Sequence, residues 1–233
     1  MYKIPTLEQM LQAGVHFGHK ISRWHPKMEQ FIFGERQGVH VINLEKTQVQ
    51  LESAFRFIDE VVSKGGTILF LGTKPQAQET VKMAAISAKM PYISARWLGG
   101  TFTNFNTISS LLKKYRKEKA GKASGDWEKY TKKEQLERDR ALMKMDADLA
   151  GIEGLMALPA ALFVVDCQKE KTAIKEATKM NIPVIAICDT NVNPELVGYP
   201  IPGNDDAIKS IKLLVDAVAQ VVKDAQEKIK ETK

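Results

Sequence analysis

Three of the four histidines in this chain, His16, His19 and His25, fall within AGVHFGHKISRWHPKM at residues 13–28, beside one Trp, one Arg and two Lys. Imidazole can ligate a transition metal, carry a proton near neutral pH or sit against a nucleic acid, so the crowding raises all three chemistries. A metal needs further ligands, and the far end of the chain offers them. Asp189 ends the apolar run IPVIAIC, and Asp205 and Asp206 follow PIPGN. If the N-terminal arm folds back over the ends of those segments, His16 with Asp189, Asp205 and Asp206 makes a mixed nitrogen and oxygen set able to hold a structural Zn²⁺ and clip the arm to the body. The same aspartates would serve equally as turn and helix-cap residues. Spacing leaves both readings open.

Other chemistry finds less support. There is no GxSxG elbow, and Cys167 and Cys188 lie near the ends of apolar runs, where a cysteine acts as a small hydrophobe. They form no CxxC motif, and with no basic-then-apolar leader at the N-terminus they are expected as reduced thiols. Neither GxGxxG nor GxxxxGK[ST] is present. The run TILFL leads into Gly72-Thr73-Lys74-Pro75, a weak phosphate site at a helix start. It keeps one alternative alive, a nucleotide-binding α/β enzyme or regulator using the crevice at the strand ends.

Nucleic-acid chemistry has better raw materials. Arg23-Trp24-His25-Pro26-Lys27 and Ala95-Arg96-Trp97 each set a cation beside an indole, suited to stacking and to phosphate contact. Either Trp could equally anchor a core, and for Trp97, followed by Leu98, the core reading is the stronger. The net charge of +6 is also localised. Residues 111–145 hold twelve Lys and Arg against six Asp and Glu, and the rest of the chain is balanced. A localised excess implies a polyanionic partner at one place, with a solvated Lys-rich helix face as the plain alternative.

These residues must be positioned by an α/β body. A composition of 44% apolar and 27% charged residues over 233 positions is that of an ordinary globular chain. No apolar run is long enough to span a bilayer. TLEQMLQAG reads as a short capped helix, and FIFGERQGVHVI as a strand pair. Helices at 46–63, 75–90 and from about 205 then alternate with the strands TILFL, PYISA, ALFVV and IPVIAIC. Such alternation predicts a mainly parallel sheet covered on both faces. Residues 104–152 break the pattern. Phe105, Ile108, Leu112 and Tyr115, and again Leu142, Met145, Leu149 and Ile152, are spaced 3, 4, 3, which predicts an antiparallel coiled-coil hairpin. The expected organisation is an α/β domain of residues 1–103 and 153–233 with a basic hairpin inserted at 104–152.

The segments AGVHFGHK, WHPKM, FIFG, VHVINLEKT, LFLGTK, RWLGGTFTN, ALFVVD, IPVIAICDTN and IPGNDDAI follow one another in an order and spacing that closely resembles the bacterial small-subunit ribosomal protein S-two family. The resemblance runs from about Thr6 to Val218 and includes the hairpin; Phe102 and Phe105 depart from the expected Leu and Trp. It implies a flavodoxin-like, Rossmann-like three-layer body with a protruding coiled coil. It implies a non-enzymatic cytoplasmic ribosomal constituent, without a small-molecule substrate or a required cofactor. Such a protein binds ribosomal RNA at the back of the subunit between head and body, joins late in assembly and helps dock the multi-domain protein that captures messenger RNA. The resemblance does not say which basic residues face RNA. The candidates are Arg23, His25 and Lys27 on the arm, Arg96, and Lys113, Lys114, Arg116 and Lys117 on the hairpin. Their expected work is to neutralise phosphates rather than read bases.

Overall fold

Thr6 opens the first helix, α1 (Leu7–Ala13), with the reciprocal capping box that its spacing from Gln9 predicts, and Gly14 closes it. The structure, a computed structural model, describes residues 2–231. After α1 the chain runs through β1 (Phe17–Lys20), two short 3₁₀ turns, β2 (Ile32–Arg36) and β3 (Val39–Ile42). These three strands form a small antiparallel sheet in the order β1-β3-β2. FIFGERQGVHVI is therefore the expected strand pair. FGHK, which carries no apolar run, adds an edge strand that periodicity does not reveal.

The body has the predicted alternation: α2 (Leu44–Ser63), β4 (Ile68–Leu71), α3 (Pro75–Ser87), β5 (Tyr92–Ile93), then β6 (Ala161–Val165), α6 (Lys171–Lys179), β7 (Val184–Cys188), β8 (Tyr199–Pro202) and α7 (Ile208–Glu231). Between β5 and β6 stand α4 (Phe105–Ala123) and α5 (Lys132–Leu149). The main sheet has the order β5-β4-β6-β7-β8 and every pairing is parallel. In parallel-strand numbering this is 2-1-3-4-5, the flavodoxin-like order, with its switch point between β4 and β6. ILFL, ALFVV and VIAIC are buried at every position, because helices cover both faces.

One face packs on α2, α3 and α7 through residues such as Leu51, Phe55, Ile58, Val81, Leu214 and Val218. The other packs on α6 and on the roots of α4 and α5. Leu69, Val164 and Ala186 there share a cluster with Ile108, Leu112, Leu149 and Ile152. Both predicted seams turn inward: Ile108, Leu112, Tyr115, Leu142, Leu149 and Ile152 are buried. The two helices run antiparallel, tied across by Tyr115 to Asp146, Lys122 to Asp139 and Arg138 to Glu118. Cys167 and Cys188 are free, buried thiols in sulfur contact, as expected of core residues.

Candidate functional site

The parallel sheet delivers its carboxyl ends to one edge, and that edge is acidic. Asp166 follows β6, Asp189 follows β7, and Asp205 and Asp206 follow β8. Asn204, rather than either aspartate, accepts the amides of Asp206 and Ala207 ahead of α7. The aspartates are thereby left to face the crevice. Lys74, at the start of α3, reaches across from β4. Its Nζ lies 2.8 Å from Asp205 Oδ1, 2.6 Å from Asp206 Oδ1 and 3.3 Å from Asp166 Oδ2. Burial acts to lower the Lys74 pKa, but the hydrogen bonds to Asp205 and Asp206 outweigh it and raise it well above the ordinary value. The one cation of the Gly-Thr-Lys-Pro turn is therefore engaged by carboxylates. Thr73 is engaged as well, its amide donating to Glu170 Oε1 at 3.1 Å. A phosphate brought here would meet four aspartates, so the geometry disfavours the nucleotide-binding alternative.

The N-terminal arm lies against this edge, held by Thr190. The Thr190 Oγ1 accepts the His19 amide at 2.8 Å and its carbonyl accepts the His25 amide at 2.8 Å. Gly18 makes the approach possible, because a Cβ there would stand 2.5 Å from Thr190 Cγ2. His19 consequently meets the acidic edge: Nδ1 is 3.0 Å from Asp189 Oδ1 and Nε2 is 3.5 Å from Asp206 Oδ2. The hydrogen bond to Asp189 raises its pKa against the opposing effect of burial.

The expected ligand set needs one correction. His19, not His16, joins Asp189, Asp205 and Asp206, and one ligand atom from each of the four lies within 4.8 Å of the others. His16 precedes β1 and turns toward an apolar groove, its ring centroid 4.0 Å from that of Phe17, and burial lowers its pKa. The residues fit a cation. Asp205 is 1% exposed, and its Oδ2 has no hydrogen-bond partner among the described residues. Burial, together with Asp189 and Asp166, pushes its carboxyl up to about 7 despite the pull of Lys74. An orphaned buried carboxylate oxygen beside an imidazole is what a divalent ion would satisfy.

The basic candidates are placed unequally. Arg23 and Arg96 are exposed, but Lys27 is ion-paired with Glu195, and His25 Nδ1 accepts the Lys27 amide as a cap. On α4, Lys113, Lys114 and Lys117 are exposed and in no ion pair among the described residues. Arg116 is half-buried beside Met156. Lys119, Lys122 and Arg138 are neutralised by Glu153, Asp139 and Glu118. Trp97 is core, as the stronger reading has it, its indole N–H donating to Glu176. Sequence reasoning missed Thr190, Glu176 and the ion pairs of Lys74, because nothing local marks a residue whose partner is a hundred positions away.

A flavodoxin-like sheet with its strand-end edge covered by its own arm and ion pairs, and a basic hairpin inserted before its third strand, is the class of α/β protein that these residues build. The chain belongs to the ribosomal protein S2 family, whose model matches residues 10–225. It is 47% identical over 224 residues to the small ribosomal subunit protein uS2 of Coprothermobacter proteolyticus, covering 96% of this chain and 84% of that one. It is 48% identical over 219 residues to uS2 of Nocardia farcinica, covering 94% and 77%. The family consists of ribosomal structural proteins, not enzymes. No helix among the described residues is long and apolar enough to cross a membrane.

Proposed function

We propose that this chain is a structural constituent of the small ribosomal subunit in the cytoplasm, and that it holds ribosomal RNA with the outward face of α4, aided by Arg23 and Arg96. The observation that carries the reading is that Lys113, Lys114 and Lys117 stand exposed on α4 in no ion pair among the described residues, whereas Lys119, Lys122 and Arg138 are neutralised. Unpaired cations on a rigid helix suit phosphate neutralisation and positioning by shape. In this reading the protein joins late at the back of the subunit, between head and body. It also helps dock the multi-domain protein that captures messenger RNA. A groove of about 440 Å³ between α1 and the small sheet supports a protein partner, since it is lined by Leu7, Leu11 and Phe33, the last 78% exposed. Co-sedimentation with small subunits lacking this protein tests the reading. Binding should weaken steeply with salt. Failure to travel with the subunits at moderate salt would end it.

We also propose that His19, Asp189, Asp205 and Asp206 hold a structural divalent ion, with Zn²⁺ the species that imidazole and carboxylate together suit. The ion would tie arm to body and supply no chemistry. Extensively dialysed protein should retain metal by elemental analysis, and a chelator should lower its melting temperature. His19→Ala should lose the metal while His16→Ala keeps it. A metal-free protein indifferent to chelator would remove the proposal.

A further inference from the structure

One buried carboxylate belongs neither to the arm nor to the acidic edge. Glu176 lies within α6 and is 8% exposed. Its Oε1 accepts from Trp97 Nε1–H at 3.1 Å and from the Gly100 amide at 2.8 Å. Its Oε2 accepts from the amides of Phe102 and Thr103 at 3.0 and 3.2 Å, and from the Thr103 hydroxyl at 3.2 Å. Five donors from residues 97–103 thus converge on one side chain. This stretch, WLGGTFT, is neither helix nor strand. Its own turn bonds are few, from the Thr101 amide and hydroxyl to the Leu98 carbonyl and from the Asn104 amide to the Gly100 carbonyl, and the donors left over converge on one carboxylate of α6.

The clamped stretch ends one residue before Asn104, and α4 begins at Phe105. A helix is stiff, so its direction is decided at its root. At 1.5 Å per residue the nineteen residues of α4 extend about 28 Å, and a tilt of about 10° at the root moves the far end by about 5 Å. The returning helix is seated separately, where Gly151 packs so closely on Tyr92 that a Cβ would stand 2.1 Å from its carbonyl oxygen.

We propose that Glu176 is a positioning residue for the basic hairpin, fixing the direction in which α4 leaves the body and carrying Arg96 with it. The functional part rests on the RNA-facing reading of α4; the mechanical part does not. A carboxylate is required because both of its oxygens accept. Glutamine keeps one accepting oxygen and turns an NH₂ group toward donors, so Glu176→Gln is a half clamp and Glu176→Ala is none.

The test uses the full chain with spin labels at Ser124→Cys, in the hairpin turn, and Glu79→Cys, on α3. Both sites are exposed, and the two native cysteines are buried. The parent should give a narrow distance distribution, broader in Glu176→Gln and broadest in Glu176→Ala, with far-UV circular dichroism showing a folded body. Should the alanine variant not fold, the glutamine variant carries the comparison. Affinity for small subunits lacking this protein should fall about ten-fold as preorganisation is removed. The slope against salt should be unchanged, because every phosphate-facing cation is retained. Unaltered distances in a folded variant would overturn the proposal, and so would a flattened salt slope. Broadened distances with undiminished affinity would uphold the clamp and count against the RNA-facing reading of the hairpin.

Discussion

Within the arm, His19 has its backbone amide held by Thr190 and its ring against Asp189, whereas His16 sits before β1, packed on Phe17. Two histidines three residues apart are equivalent in composition, and their separation depends on which way an edge strand without apolar alternation presents them. Nothing in the sequence around them says which of the two will face Asp189, Asp205 and Asp206. Glu176 was hidden for a related reason, since a glutamate on an amphipathic helix reads as solvent-facing until its five donors are seen. Its electrostatics lead to a pH prediction. Burial acts to raise its pKa, but the hydrogen bonds from Gly100, Trp97, Phe102 and Thr103 prevail and hold it below the usual carboxylate range. A carboxyl lowered on folding adds stability above its unfolded pKa of about 4.3, and that stability is lost as pH falls through the folded value. From about pH 4.5 downward, the melting temperature of the parent should therefore fall more steeply than that of Glu176→Gln. Parallel curves would show that the clamp draws nothing from ionisation.

At the scale of elements, the helices α4 and α5 were legible, because a 3, 4, 3 apolar spacing on either side of a polar turn reads as a helical face. Their roots were less so. Ile108, Leu112, Leu149 and Ile152 belong to the same apolar cluster as the strands of the main sheet, so hairpin and body are continuous there. The outer part is braced within itself, through Lys122 to Asp139 and Arg138 to Glu118, with the Arg138 guanidinium 4.0 Å from the centre of the Tyr130 ring. Replacing residues 116–144 with a short Gly/Ser turn should accordingly leave the melting temperature of the body within a few degrees of the parent, while weakening association with the subunit. A collapse in stability, measured by calorimetry, would show that the outer hairpin supports the fold.

For the molecule as a whole, the charge map was plain in the sequence and the strand order was not. Alternation implies a parallel sheet, but the order β5-β4-β6-β7-β8 depends on pairings between distant segments that periodicity does not encode. The map carries its own prediction. Substituting Lys113, Lys114 and Lys117 with Gln should flatten the slope of log affinity against log salt by about two to three, close to one for each phosphate no longer neutralised. An unchanged slope would assign this face to solvent or to a protein. The position of the hairpin in the chain also bears on how the molecule comes together. β4 pairs with β6, and Ile68 lies opposite Ala161, so about ninety residues separate the two halves of the central pairing. Loop-closure entropy rises with the length of the flexible segment, whereas helices of this length form within about a microsecond. Once α4 and α5 have zipped together through local contacts such as Tyr115 to Asp146, those positions lie side by side and the chain between them no longer counts toward the loop. The insertion that reaches outward in the finished protein is, while the chain is still searching, a shortcut between the two halves of its sheet.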